Sequence, residues 1–162
     1  MRIFFPSDAV ALLLDIVAWG VVHAGTGYAV HRLPLRVLRH DSWLLRERRF
    51  ERSGRFYERL RVRAWKDRVP EAGALFAGGM SKRRLASGRS GLDRFAMETR
   101  RAELGHWSAM AAAPVFVIWN PPSAATLLLV YGVASNLPFI VIQRYNRLRV
   151  TRILTARSRR GG

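Results

Sequence analysis

The chain has 162 residues, and its 28 Lys and Arg against 11 Asp and Glu give it a formal net charge of +17. It contains no cysteine, which excludes disulfide bonds, thiolate catalysis and cysteine-ligated metal sites. The length is that of a single domain. A charge this positive, taken alone, favours nucleic-acid binding, but the basic residues are not spread evenly along the chain.

The basic residues are concentrated in two segments of the chain. Of the 28, 27 lie in residues 32–106 and 143–162. Residues 7–31 contain no Lys or Arg, and residues 107–143 contain no charged residue at all. Membrane proteins carry their excess Lys and Arg on the cytoplasmic side. The distribution therefore predicts an all-α integral membrane protein that forms one domain over residues 1–162.

Three apolar segments are candidate transmembrane helices: 9–30, 102–119 and 123–142. A spanning helix needs roughly 20 mostly apolar residues, and the second segment approaches that length only when Glu103 and His106 are included. Asn-Pro-Pro at 120–122 predicts a tight turn between the second and third spans. The expected topology places the N-terminus outside and the basic region 32–101 and tail 143–162 in the cytoplasm.

The first span carries ionisable side chains. Asp15, Trp19 and His23 fall at i, i+4 and i+8, which is one face of a helix. Ionisable residues inside a membrane are candidates for function. The alternative is that this face packs inside the bundle and that its polar groups are satisfied by Tyr131, Ser135 or Asn136.

The basic region begins with an amphipathic pattern over residues 43–66. Trp43, Phe50 and Tyr57 recur every seven residues among many arginines, which predicts basic amphipathic helices lying in the headgroup plane. A break is expected near Ser53-Gly54. The alternative is a charged face that packs on its own domain.

Residues 70–91 are rich in Gly, Ala and Ser and predict a loop. Its cluster at 82–84, Lys-Arg-Arg, suits anionic headgroups or a phosphorylated ligand, or is simply solvated. Ser90 and Asp93 resemble a helix-start box. A helix from there is expected to run over 91–119 into the second span.

The densest group of chemically useful residues lies at the start of that span. Glu103 and His106 are three residues apart, so they are neighbours on one helix face. A carboxylate beside a histidine fixes its tautomer and raises its basicity, as a general base requires. Arg100 or Arg101 could hold an anionic donor or stabilise an oxyanion. Alternatively, Glu103 pairs with Arg100, and His106 caps the water end of the span.

Several known catalytic patterns are missing. Glu103 and His106 form half of the ligand set of di-iron bundles, but no second Glu-x-x-His occurs, and no metal site is predicted. No histidine is followed five residues later by Asp, and there is neither a Gly-x-Ser-x-Gly elbow nor a Gly-x-x-x-x-Gly-Lys loop. An enzyme built on this chain therefore uses a less familiar site.

Three runs carry a resemblance to a known family: RFERSGRFYERLRVRAWKDRVPEAG at 49–73, METRRAELGHW at 97–107 and IVIQRYNRLRVTRIL at 140–154. In order and spacing they resemble the glycosyl-4,4'-diaponeurosporenoate acyltransferase family of small membrane proteins. The resemblance covers most of the chain from about residue 50 to 160. The first span is similar only in hydropathy, so no shared role follows for Asp15 or His23.

The resemblance implies an enzyme of a bacterial cell membrane that moves a fatty acyl group to a sugar hydroxyl of a glycosylated carotenoid. Within it, His106 would deprotonate the sugar's primary hydroxyl, Glu103 would orient His106, and Glu98 would belong to the same catalytic motif. The expected substrate-binding residues lie at the cytoplasmic surface: Trp65, Lys66, Arg100, Arg101, Gln143, Arg144, Tyr145 and Asn146. Of these, Arg101 and Arg144 would contact the acyl donor.

The expected partners follow from the same reading. They are a lipid-soluble glycosylated substrate, acyl-CoA as co-substrate with no further cofactor, anionic lipid headgroups, and a second copy of the chain if one bundle is too small to enclose the substrates. The alternative function is a non-enzymatic membrane scaffold that binds anionic lipid or a protein through its basic region. Nucleic-acid binding needs exposed stacking aromatics, whereas the helical spacing of the aromatics here favours burial.

Overall fold

The structure is a computed structural model and describes residue 4 and residues 6–69 and 89–160. All regular secondary structure in the described residues is helical, which confirms the predicted all-α class. The α-helices are α1 (Asp8–His31), α2 (Arg55–Arg59), α3 (Val62–Trp65), α4 (Arg89–Ala112) and α5 (Pro122–Arg160). Short 3₁₀ helices cover Val37–Arg39, Arg49–Glu51, Lys66–Arg68 and Ala113–Ile118.

Helices α1 and α5 are long and apolar enough to cross a membrane. Only 11% of the most apolar stretch of α1, and 28% of that of α5, is buried inside the molecule, whereas the core helix of a soluble protein is mostly buried. Leu12, Leu13 and Val21 of α1 each expose more than 60% of their surface. Apolar surface this extensive indicates a membrane environment.

The long helices run in alternating directions. Asp15 of α1 contacts Trp119 and Asn120 in the turn before α5, while the carbonyl of Leu33, just after α1, accepts a hydrogen bond from Arg101 of α4. Helix α1 is therefore antiparallel to α4 and parallel to α5. A core of aromatic and small residues joins the three elements, centred on Trp19, Ala113 and Phe116.

The predicted helix over 91–119 is found in two parts. Its α-helical part begins at Arg89, close to the helix-start box, and ends at Ala112, where the chain tightens into the 3₁₀ helix. Pro114 explains the change, because proline lacks an amide hydrogen and its ring clashes with the carbonyl four residues earlier. The first half of α4 is charged, so α4 is not apolar enough in composition to count as a membrane-spanning helix.

Helix α5 continues far beyond the predicted span. It includes the basic tail and ends at Arg160. Val150 and Leu154 in the tail pack on Phe95 and Ala96 of α4, so the antiparallel α4–α5 pair extends past the apolar region. This contact joins residues far apart in sequence, and the tail's own composition gave no sign of it.

In place of long amphipathic helices, residues 43–66 form short helices separated by turns. The expected break occurs at Gly54, whose φ of +78° is readily adopted only by glycine. A second break occurs at Arg61, with φ of +49°. Phe50 is exposed, so the stripe is not a continuous buried face. In the predicted loop, residues 70–88, including the basic cluster at 82–84, lie outside the described residues.

Close packing at Gly132 gives a test of the bundle. A Cβ there would lie 2.9 Å from Ala113 Cβ and 3.1 Å from the Trp19 ring. We expect Gly132→Ala to destabilise the bundle by about 1–3 kcal/mol, since overpacking displaces neighbouring side chains. Gly20→Ala is the matched control, because nothing lies within 4 Å of its added Cβ. Thermal unfolding in nanodiscs measures both, and equal midpoints for the two variants would contradict this packing.

Candidate active site

His106 lies on α4 and contacts α5. Its Nδ1 is 3.0 Å from Oδ1 of Asn136, and its ring stacks on Phe139 with centroids 4.6 Å apart. Asn136 is fully buried, and its amide nitrogen donates to the carbonyl of Gly132 at 2.9 Å and to the hydroxyl of Ser135 at 3.2 Å. The imidazole is therefore held by one hydrogen bond and one ring face.

Glu103 has partners other than His106. Its fully buried carboxylate accepts hydrogen bonds from Arg144 Nε and from an Arg147 guanidinium nitrogen, both at 2.6 Å, and from the Trp107 indole at 3.2 Å. The expectation that Glu103 orients His106 is therefore corrected. The orienting contact comes from Asn136 on the neighbouring helix.

The carboxylate of Glu103 is part of a buried charge cluster formed by Glu51, Tyr57, Glu103, Arg144 and Arg147. Arg144 also donates to both oxygens of Glu51 at 3.2 Å and to the carbonyl of Leu44. Arg147 donates to the carbonyl of Leu45 at 2.7 Å, and the Tyr57 hydroxyl donates to Glu51. Two carboxylates thus balance two guanidinium groups.

Tyr57 acts in this cluster as a permanent donor. Burial, followed by the hydrogen bond to Glu51 and the charge of that carboxylate, raises the pKa of Tyr57 well above its ordinary value. Its hydroxyl therefore stays protonated throughout the physiological pH range. The charge cluster fastens residues 44–57 onto α4 and α5.

Arg144 was expected to contact the acyl donor, but its nitrogens have internal partners. Nε donates to Glu103, one terminal nitrogen donates to Glu51 and the other donates to the carbonyl of Leu44. A guanidinium group with a fixed partner on every nitrogen acts as a structural cross-link. The geometry therefore argues against the expected contact of Arg144 with the donor.

The remaining charged residues of the motif tie α4 to the chain that follows α1. Arg101 donates to both oxygens of Glu98, at 3.0 and 2.8 Å, and to the carbonyl of Leu33 at 3.0 Å. Arg100 pairs with Asp41 at 2.7 Å. The alternative pairing of Arg100 with Glu103 is therefore wrong. Arg100 and Arg101 lie within two turns of His106, and Glu98 lies slightly more than two turns away; none of the three forms a hydrogen bond with it.

Two of the expected pocket residues pack together at α5. Trp65 and Tyr145 belong to the same apolar cluster as Tyr57, and the Trp65 indole donates to the carbonyl of Leu60 at 2.9 Å. Lys66 pairs with its neighbour Asp67 at 2.5 Å. The aromatic part of the expected pocket thus packs against residues 55–66.

Gln143 and Asn146, which were also expected to bind substrate, lie on the same face of α5 as Phe139. Gln143 is half-buried, whereas Asn146 is buried. The amide nitrogen of Asn146 has no hydrogen-bond partner among the described residues. A buried donor without a partner is unusual and is a candidate contact for a ligand.

Asp15 lies far from His106, at the opposite end of the bundle. Its carboxylate accepts hydrogen bonds from the Trp119 indole at 2.8 Å and the Asn120 amide at 2.7 Å. The predicted burial of this face is thus found for Asp15 and Trp19, which are each 8% exposed. The hydrogen-bond partners of Asp15 are these residues of the turn and not Tyr131, Ser135 or Asn136, although Tyr131 does contact the Trp19 ring edge to face. His23 is exposed and stacks on Trp19.

A cavity of about 340 Å³ lies between residue 47 and the tail of α5. Two guanidinium groups, two hydroxyls and one carboxylate line it together with apolar atoms, from Glu47, Leu148, Thr151, Arg152, Thr155, Ala156 and Arg159. We call it the α5 groove. In the part of the chain that the structure describes, no group of three or more His, Asp or Glu side chains could hold a metal ion.

Comparison with known proteins agrees with the resemblance seen in the sequence. Residues 41–156 match the family described as glycosyl-4,4'-diaponeurosporenoate acyltransferase. The chain belongs to this acyltransferase family. Proteins of that name from Staphylococcus aureus strains bovine RF122 / ET3-1 and USA300 are 30% and 29% identical over 146 residues, which cover 88% of this chain and 87% of each relative. No solved structure matches the chain.

For this member of the glycosyl-4,4'-diaponeurosporenoate acyltransferase family, sequence reasoning missed the role of Asn136. It considered Asn136 only as a partner for the face of Asp15. The available signal was its position, since it is the only side-chain amide within the apolar stretch 123–142. Glu51 was also missed, because an acidic residue in an Arg-rich segment gave no hint of burial, and the spacing that favoured burial of Tyr57 did not reveal its hydrogen bond to Glu51.

Proposed function

We propose that this chain transfers a fatty acyl group to a sugar hydroxyl of a glycosylated carotenoid or a related glycolipid. Family membership and the names of the relatives support the reaction and its acceptor. The observation that carries the proposal is the placement of His106. It is a half-buried imidazole held between a buried amide and an aromatic ring, beside a bundle whose outer surface is apolar.

In the proposed reaction, His106 removes the proton of the sugar hydroxyl. The hydroxyl oxygen attacks the carbonyl carbon of the acyl thioester, and a C–O bond forms as the C–S bond breaks. The thiolate leaves and takes the proton back from the imidazolium. The products are an acyl ester and a free thiol, and the imidazole returns to its neutral form.

We propose that three segments cross the membrane, with the N-terminus outside and both the basic region and the tail in the cytoplasm. The end of α4 from residue 102 and the following 3₁₀ helix together rise about 28 Å, which approaches the roughly 30 Å of a hydrocarbon core. The antiparallel order of α1, α4 and α5 supports this topology. It places His106 near the cytoplasmic boundary, beside basic residues that favour anionic headgroups.

The proposed donor is acyl-CoA, which carries its thioester and its phosphates at opposite ends of a long arm. Because every nitrogen of Arg144 has an internal partner, the phosphates are placed in the α5 groove. Arg152 lies 13 residues beyond Phe139, which is about 20 Å along an α-helix. The groove residues lie on the opposite face of α5 from Phe139, so the pantetheine arm would pass around the helix to reach His106.

The donor proposal predicts a selective effect at Arg159, which lines the groove. We expect Arg159→Gln to raise KM for acyl-CoA about tenfold with little change in kcat, since a hydrogen bond to a charged group contributes about 1.5–3 kcal/mol. Arg157→Gln is the matched control, because Arg157 is exposed on the same helix but does not line the groove. An acyl-pantetheine donor should show no difference. Equal KM values for acyl-CoA in both variants would remove the groove from the donor site.

The acceptor would lie along the face of α5 that carries Phe139, Gln143 and Asn146. These residues are spaced at i, i+4 and i+7, so they share one side of the helix. The polar groups of Gln143 and Asn146 suit a sugar, and Asn146 brings a buried amide that needs an acceptor. The exposed apolar surface of α1 and α5 suits the polyene and the acyl chain.

The function is tested by producing the chain in a bacterial host that accumulates the glycosylated carotenoid but lacks its acylation step. We expect mass spectrometry of the extracted pigment to show the glycoside shifted by the mass of a fatty acyl group. A host carrying the empty vector is the control. Unshifted pigment in cells that contain folded protein would contradict the proposal and favour the lipid-binding scaffold.

A further inference from the structure

The side-chain amide of Asn136 has only one sensible orientation. Its nitrogen lies 2.9 Å from the carbonyl oxygen of Gly132, and a carbonyl oxygen can only accept a hydrogen bond. Reversing the amide would bring two acceptor oxygens together in a fully buried site, where an unpaired polar group costs about 1–3 kcal/mol. The Asn136 oxygen must therefore face His106.

That orientation decides which nitrogen of His106 carries the proton. The Asn136 oxygen is an acceptor, so Nδ1 at 3.0 Å has to be the donor. In a neutral imidazole only one nitrogen is protonated, which leaves the lone pair on Nε2. Stacking on Phe139 holds the ring plane, so Nε2 points away from Asn136.

We propose that Asn136 is a positioning residue that fixes His106 in the tautomer with the proton on Nδ1, so that Nε2 is the atom that accepts the proton of the acyl acceptor. The inference rests on the proposed function of His106 as the general base. In this arrangement the partner of His106 is a neutral amide and not the carboxylate that the sequence predicted. A neutral partner can set the tautomer without adding a second buried charge, which would be costly near lipid.

The first test reads the tautomer itself in the full-length protein in nanodiscs, with ¹⁵N-labelled histidine. The chain has four histidines, and His106→Gln identifies the signal of His106 by its loss. We expect the native protein to show a protonated Nδ1 and an unprotonated Nε2. A native spectrum with the proton on Nε2 would overturn the inference without need of any variant.

The second test uses paired variants of Asn136. Asn136→Leu removes the acceptor at similar volume, and we expect a mixed tautomer and a 10- to 100-fold lower kcat with an unchanged KM, a part of the roughly 100- to 10,000-fold that general base catalysis contributes. Asn136→Asp keeps an acceptor oxygen for Nδ1 and should restore the native tautomer and part of kcat, at a cost in stability because its second oxygen faces the carbonyl of Gly132. Leu137→Ala, which changes the exposed neighbour of Asn136 on the same helix, should match the native protein.

Two results separate this inference from the proposed function. If Asn136→Leu keeps both the native tautomer and the native kcat, the positioning role is wrong even when His106 is essential. If His106→Gln keeps full transfer, the base of the proposed reaction is wrong. The ¹⁵N spectrum would still decide whether Asn136 sets the tautomer.

Discussion

Glu103→Gln is expected to destabilise the protein by about 3–5 kcal/mol, the usual cost of removing one partner from a buried ion pair. The substitution keeps the size of the side chain but leaves Arg144 and Arg147 with Glu51 as the single buried carboxylate of the cluster. The excess positive charge lies where water cannot solvate it. Chemical unfolding in nanodiscs, followed by tryptophan fluorescence, measures the change in free energy of unfolding.

The matched control is Glu58→Gln, which removes the same charge from an exposed position on α2. Surface substitutions of this kind usually change stability by less than about 0.5 kcal/mol. The comparison also separates two roles for Glu103. Native stability together with a selective fall in kcat would show that Glu103 serves His106 directly, and the structural role argued from its contacts would then be wrong.

His106→Ala is expected to lower kcat for acyl transfer by about 100- to 10,000-fold, the range over which a positioned general base contributes. Its effect on stability should be moderate, about 1–3 kcal/mol, because it removes the ring contact with Phe139 and leaves the buried oxygen of Asn136 without its partner. Single-turnover kinetics with saturating donor measures the chemical step without interference from product release.

His40→Ala is the control for this variant, because His40 is exposed and precedes the segment that the charge cluster fastens. It should keep the native rate. Transfer that continues at the native rate in folded His106→Ala would leave the chain in its acyltransferase family but place the general base elsewhere.

Length and hydropathy predicted the long helices well. The expected first span, 9–30, differs by one residue at each end from α1, because a mostly apolar stretch of this length has few alternative structures in a membrane. Helix α5, which contains the predicted span 123–142, begins with Pro122 at its first helical position, where proline needs no amide donor. In both places the local sequence was sufficient to predict where a helix forms.

The structure of residues 43–66 could not be obtained from the same reasoning. A seven-residue spacing of aromatics fits a helix, but the left-handed conformation at Arg61 interrupts it. Nothing in the side chain of arginine favours that conformation. It is held by tertiary contacts such as the packing of Tyr57 and Val62 on Leu148 of α5.

For the site, the sequence identified many of the residues that come together but not their pairing. A spacing of three on a helix allows Glu103 to contact His106, yet it does not decide which partner is better. Arg144 and Arg147 provide two charge-assisted hydrogen bonds from a neighbouring helix, which are stronger than a bond to a neutral imidazole. The choice depends on how α4 is rotated against α5, and that rotation is set by the whole interface.

The most direct measurement of the central claim is acyl transfer by the purified protein in lipid vesicles that contain the glycosylated carotenoid, with labelled acyl-CoA added outside. We expect a labelled carotenoid ester that forms with the native protein and is absent with folded His106→Ala. If folded native protein produces no labelled ester of the carotenoid or of any glycolipid acceptor, the proposed reaction is contradicted.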